Sequence, residues 1–227
     1  MRPLLILGAL ILWKILRDDS GSNKTMTTKL DFITKLRPTA LAVKSELGFH
    51  HDLGMLQAAH ESAYGSSALS NPASILEIRV GPTNDSPVVR TGAAFNLFGF
   101  TAEPDTYWRN PKSASGNREF VMMPTLEWVA PDKVLPTDVR TSAPPDPKTG
   151  KVEVKRKRPF RAYKSWDESY RDWARLMSIP AYVNAGAPAA LKAGDLKAFA
   201  AALAKVGYAT DPRYVAKLEK MDRGAFA

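Results

Sequence analysis

The hydrophobic pattern of the chain changes period twice, and this restricts the fold more than any single motif. Over residues 28–64 apolar side chains recur at helical spacing. Over 70–134 they fall in short β-branched or aromatic runs, "SILEIRVG", "SPVVRTG" and "REFVMMPTLEWV", separated by Gly, Pro and Asn. From Ser165 helical spacing returns. Helices on either side of a small β region imply an α+β fold. No internal repeat is visible.

Local signals mark the elements. Thr28 and Asp31 in "TKLD" have capping-box spacing. Phe32, Ile33, Leu36, Leu41 and Val43 continue a helix that Pro38 should kink and Gly48 should end. A second helix is expected over 52–64, with Leu53, Leu56 and His60 on one face, Met55, Ala58 and Ala59 widening it, and Gly65 as the stop. The proline-rich stretch 135–151 predicts a long exposed loop, and "VEVKRKRPFRAY" alternates like a half-exposed strand. "SWDE" is a second capping box, with Ser165 and Glu168, ahead of a Trp166, Tyr170, Trp173, Met177 stripe that Pro180 should stop. Leu196, Phe199, Ala200, Leu203 and Val206 form the next stripe, closed by Gly207. Asp211 and Pro212 suit the N-cap and first turn of a last helix.

The N-terminus is of another kind. Arg2 precedes an apolar run from Leu4 to Trp13, which Lys14 interrupts and Arg17, Asp18 and Asp19 close. The run is short of the roughly 20 residues of a spanning helix and fits a signal-peptide core, yet no A-x-A-like cleavage site follows. Residues 1–17 are read as an export signal able to stay on as a membrane anchor, 18–27 as a polar linker, and 28–227 as the folded domain, with its β-lobe at about 72–160. With 44% apolar residues over 227 positions, a packed core is expected. The chain lacks cysteine, which excludes disulfides and thiolate metal sites. Its only histidines are His50, His51 and His60, without H-E-x-x-H spacing, so no metal and no cofactor are expected. The formal charge of +9 favours an anionic partner: nucleic acid, anionic lipid or an acidic wall polymer.

Two stretches carry candidate chemistry. In "QAAHESAYGSSALS" a single carboxylate, Glu61, stands at the edge of an apolar helix. Desolvation there would raise its pKa and suit it to general acid catalysis. Taken alone, the stretch fits a surface or structural carboxylate better. "FNLFGF" places Asn96 in an aromatic and glycine cluster, whose rings suit sugar faces or an ordinary buried turn.

In order along the chain, "QAAHESAYGSSALS", "NLFGF", "RPFRAYKSWDESYRDW" and "VGYATDPRYVAKL" resemble glycoside hydrolase family 73. These are endo-β-N-acetylglucosaminidases that include the peptidoglycan-hydrolase domain of the flagellar rod-cap protein. The resemblance spans about 30–221. It implies a lysozyme-like fold, mainly helical, with a small β-lobe flanking a substrate groove. It implies Glu61 as general acid and Asn96 and Phe98 in a groove-lining turn. Tyr208 would position substrate or water, and Asp172 falls on a family acid whose job is structural. Glu127 in "PTLEWV" falls on the second carboxylate, with Trp128 beside it at a sugar subsite, and Tyr64 near Glu61 and Asp172 are further expected substrate-binding residues. About 25 residues separate the first motif from "NLFGF", a longer connection than in many members. Glu77, Glu103, Glu119 and Glu153 therefore compete with Glu127.

The implied function is cleavage of β-1,4 bonds in the glycan strands of peptidoglycan, in the periplasm or cell envelope or from a phage particle. The N-terminal segment would contact or span a membrane, and no nucleic acid is involved. A lytic transglycosylase would share the fold, but its G-L-M-Q-like motif is absent and "NLFG" stands in its place. A nucleic-acid-binding protein using "KVEVKRKRPFR" and a wall-binding module without catalysis are the alternatives of other classes.

Overall fold

In the computed structural model, Thr28 opens the first helix as its capping box predicts. The Thr28 hydroxyl accepts from the Asp31 N–H, and the Asp31 carboxylate accepts from that of Thr28. The structure describes residues 28–103, 108, 118–208, 214–221 and 223–226, so the N-terminal apolar run and Asp211 and Pro212 lie outside the described residues. Helix α1 (Lys29–Leu47) passes through Pro38 as one element and ends on Gly48, which is left-handed at φ 72°. Helix α2 (His51–Ser62) ends two residues earlier than expected. Nearly all of α2 is buried, and Gly54 is required there because a Cβ would fall 2.1 Å from the Tyr170 hydroxyl.

The four sequence runs read as strands and one short strand from the expected loop form one antiparallel sheet: β1 (Leu76–Val80), β2 (Val88–Gly92), β3 (Glu119–Val129), β4 (Val139–Arg140) and β5 (Val152–Arg161), in the order β2-β1-β3-β5-β4. Strands β3 and β5 pair along their length, from Phe120 opposite Arg161 to Val129 opposite Val152. The stretch 135–151 is not all loop: β4 pairs Val139 with Lys155 and Arg140 with Val154. Its short side is fastened by Asp138, which accepts from Arg156 at 2.7 and 2.9 Å.

Helix α3 (Trp166–Met177) starts at Ser165, whose hydroxyl accepts from the Glu168 N–H. The reciprocal half of the expected box differs: the Glu168 carboxylate accepts from Lys164, one residue before the cap. Pro180 does not merely stop α3. It opens α4 (Pro180–Ala185), which leads through α5 (Ala187–Ala193) to α6 (Leu196–Lys205) and α7 (Tyr214–Glu219). Proline lacks an N–H and is pre-set in φ for a first helical turn, so one residue serves both ends.

The helices enclose one large core, and the base of the sheet has a smaller one around Ile78, Val121 and Phe160. Two polar devices join them. The buried Asn96 side chain donates to the carbonyls of Phe100 (3.0 Å) and Arg161 (2.9 Å), and its oxygen accepts from Phe98 and Phe100. Arg161, at the end of β5, donates to Asp172 of α3 at 2.5 Å and to the Thr101 carbonyl at 3.0 Å. Asp172 also accepts from Tyr163 (2.8 Å) and Arg175 (2.9 Å). Both partners of the Arg161–Asp172 pair are buried. Removing one would strand the other charge, which costs about 3–5 kcal/mol. Asp172→Ala should lose that much in urea unfolding; a loss below about 1 kcal/mol would show that the junction is not held by this pair.

Candidate active site

The site begins where α2 stops. The Ser62 hydroxyl donates back to the Ala58 carbonyl (2.6 Å) and accepts from the Gly65 N–H (2.8 Å). Between them the backbone turns sharply: Ala63, Tyr64 and Gly65 all have positive φ, at 50°, 56° and 73°. Two non-glycine residues in this region store strain that the surrounding packing must hold. Gly65 has a second reason to be glycine, since a Cβ would stand 2.3 Å from the Trp166 ring. The turn leaves Glu61 in the last turn of a buried helix, only partly open to solvent and otherwise enclosed by protein.

Burial pushes the Glu61 carboxyl up to about 8, against a hydrogen bond from Tyr214 and the charge of Lys217. The Tyr214 hydroxyl donates to Glu61 Oε1 over 2.7 Å. Tyr214 and Lys217 lie three apart on α7, which brings both to the same side of that helix. His60 packs edge-on against the Tyr214 ring at 5.5 Å. Tyr208 is fully buried and donates to the Phe98 carbonyl (3.0 Å). Burial, and then the Glu61 charge, hold the hydroxyls of Tyr208 and Tyr214 well above the ordinary tyrosine range. At neutral pH the cluster therefore presents a protonated carboxyl with a phenol donating into it, an arrangement suited to delivering a proton.

The remaining residues singled out from the sequence fall in four places. Tyr208 reaches the Glu61 cluster. Asn96 and Phe98 belong to the scaffold behind it: the Asn96 amide is engaged within the protein, and Phe98 stacks on Trp173 and Phe100. Tyr64 is half-buried, edge-on to Phe32 and stacked on Phe226. Glu127 and Trp128 sit on the outer half of the β3–β5 hairpin. Glu127 faces Val154, seven residues along β5 from Arg161, or roughly 23 Å at strand rise.

Trp128 is 44% exposed, whereas Glu127 is buried and accepts from Thr125 (3.1 Å), Arg156 (3.4 Å) and Arg158 (3.4 Å). The competing carboxylates are also engaged: Glu77 with Arg79, Glu103 with Arg158, Glu119 with Arg90 and Glu153 with the Thr141 hydroxyl. No group of three metal-ligating side chains occurs among the described residues. Sequence reasoning missed Tyr214, Lys217 and Gln57. The signal for Tyr214 was present as the second tyrosine of "YATDPRY", which the helix-start reading of Asp211 and Pro212 overshadowed.

A family model described as mannosyl-glycoprotein endo-β-N-acetylglucosaminidase matches residues 37–224. The chain belongs to the glucosaminidase family. The chain is 28% identical over 188 residues to the peptidoglycan hydrolase FlgJ of Vibrio cholerae, covering 82% of this chain and 41% of the relative. It is 27% identical over 204 residues to FlgJ of Salmonella typhimurium, covering 89% and 48%. The chain thus spans less than half the length of these curated relatives. Among solved structures, a peptidoglycan hydrolase mutant from Sphingomonas sp. A1 superposes with a TM-score of 0.50 at 24% identity, covering 84% of this chain and 90% of that one. That likeness bears out the lysozyme-like α+β fold.

The raised Glu61 pKa has a stability consequence with a definite sign. A glutamate near 4.5 when unfolded and near 8 when folded takes up a proton on folding between those values, so stability falls as pH rises through that window. Glutamine cannot ionise. Glu61→Gln should therefore match the parent at pH 4 and exceed it at pH 8 by on the order of 2–4 kcal/mol, the upper part discounted for partial solvent contact. Urea unfolding at the two pH values decides it; equal differences at both would refute the raised pKa.

Proposed function

We propose that this member of the glucosaminidase family hydrolyses β-1,4 glycosidic bonds in the glycan strands of peptidoglycan, with Glu61 as general acid. The observation that carries the reading is the enclosed Glu61 carboxyl, protonated at neutral pH and bonded by Tyr214. The curated relatives are named peptidoglycan hydrolases. The charge of +9, with exposed Lys155, Lys157 and Arg140 on the outer hairpin, suits an anionic wall better than a neutral glycan. The same reading places the protein at the cell envelope, with the apolar N-terminal run as its contact with a membrane. Among the described residues no helix is long and apolar enough to cross one.

In the reaction, the Glu61 O–H gives its proton to the glycosidic oxygen as that bond breaks and positive charge builds on the sugar ring. A water adds to the ring carbon and loses its proton to a second carboxylate. Glu127 is the candidate for that role, held in orientation by Thr125, Arg156 and Arg158. Its place on the outer hairpin requires the β-lobe to fold over the bound strand. Trp128 beside it offers an exposed aromatic face to a sugar.

Glu61→Gln should abolish lysis of purified cell wall while the protein stays folded; wild-type lysis by this variant would end the proposal. Glu127→Gln should cut lysis by on the order of 100-fold in protein shown to be folded by circular dichroism, and undiminished activity would remove Glu127 from the mechanism. Mass spectrometry of the products should find reducing sugars; 1,6-anhydro ends would instead indicate a transglycosylase.

A further inference from the structure

Gln57 lies one helical turn before Glu61 and is fully buried. The Trp173 Nε1–H donates to its Oε1 over 2.8 Å. An indole N–H can only donate, so this bond fixes which end of the amide is oxygen. The Nε2 end is left buried, with its hydrogens meeting no acceptor at hydrogen-bond geometry among the described residues. Gln57 and Glu61 are four apart on α2 and share a face, and the Tyr214 hydroxyl bonded to Glu61 is thereby brought to the side of the Gln57 amide, with Tyr208 the other hydroxyl of this cluster. Each already uses its own hydrogen, Tyr208 on the Phe98 carbonyl and Tyr214 on Glu61. Both tyrosines therefore offer oxygen lone pairs, and Gln57 has N–H groups to give.

We propose that Gln57 is a positioning residue for Glu61, acting through Tyr214: its amide donates to the Tyr214 oxygen and holds that hydroxyl hydrogen on Glu61 Oε1. The inference rests on Glu61 being the general acid. The donors then run one way, from Trp173 to Gln57 to Tyr214 to Glu61, and each bond polarises the next. A phenolic hydrogen otherwise rotates to suit its surroundings. Held on Oε1, it keeps the acid proton of Glu61 on Oε2, the oxygen left for the leaving group.

The other groups facing this cluster are Lys217 on α7, His60 beside the Tyr214 ring, and Tyr182 of α4. The Tyr182 hydroxyl is buried without a hydrogen-bond partner among the described residues and lies within the influence of Arg161.

The test uses the full chain labelled with 13C at glutamate side chains, the Glu61 carboxyl being assigned by its loss in Glu61→Gln. Gln57→Met keeps the length and the apolar stem but removes the donor. Its Glu61 titration midpoint should rise by about half a pH unit or more, because a less polarised Tyr214 stabilises the carboxylate less. The kcat for wall lysis should fall on the order of tenfold with KM unchanged. Trp173→Phe, which frees the amide to turn over, should shift the midpoint in the same direction by a smaller amount.

A wild-type midpoint and kcat in folded Gln57→Met would overturn the proposal. If that variant does not fold, an unchanged midpoint in Trp173→Phe overturns it. Lytic activity surviving in Glu61→Gln would instead overturn the general-acid reading, while the midpoint shift would still report the contact from Gln57 through Tyr214.

Discussion

The buried Arg161 charge is the constraint from which much of the arrangement follows. A guanidinium cannot be left unpaired away from water, and in this molecule its partner is Asp172, on a helix of the other layer. That requirement ties the end of β5 to α3. The Asn96 side chain donates to the Arg161 carbonyl, so the "NLFGF" turn is set against the same residue. Phe98 then stacks in the helical core, and its carbonyl receives the Tyr208 hydroxyl. Through these steps a polar junction between sheet and helices supports the wall of the Glu61 cluster.

Glu61 itself shows two opposed effects with a clear winner. Burial raises its pKa, while the Tyr214 hydroxyl and Lys217 lower it, and burial dominates. The result is a carboxyl that is uncharged at neutral pH yet still oriented by a donor. Such a group is costly to the folded state, as are the two left-handed non-glycine residues that follow it. The cost is concentrated in the four consecutive residues 61–64 at the end of α2, and the rest of that helix is packed on nearly every side.

Much of the architecture was legible because it depends on local chemistry. Thr28 with Asp31, Gly48, and the β-branched runs that became β1, β2, β3 and β5 each act within a few residues of sequence. The errors arose where distant groups decide. Helix α2 ends at Ser62 because Ser62 bonds Gly65 and Trp166 crowds the turn, and Trp166 is about a hundred residues away. Strand β4 exists because Asp138 meets Arg156 across the sheet. The helices opened by Pro180 and Ala187 were not anticipated at all, being short and held by the core rather than by a long stripe.

The sequence by itself determined that Glu61 stands at the edge of an apolar helix, that the chain alternates helical and β segments, and that its motifs follow the order of a glucosaminidase. Those are properties of neighbours along the chain. Only the tertiary structure decided that Asn96 serves as scaffold, that Tyr214 rather than Tyr208 bonds the Glu61 carboxyl, and that Glu127 is clasped by two arginines. Each of these depends on which donors reach an oxygen across 65, 153 or about 30 residues of sequence. A hydrogen bond is sensitive to tenths of an ångström, and spacing along the chain carries no such information.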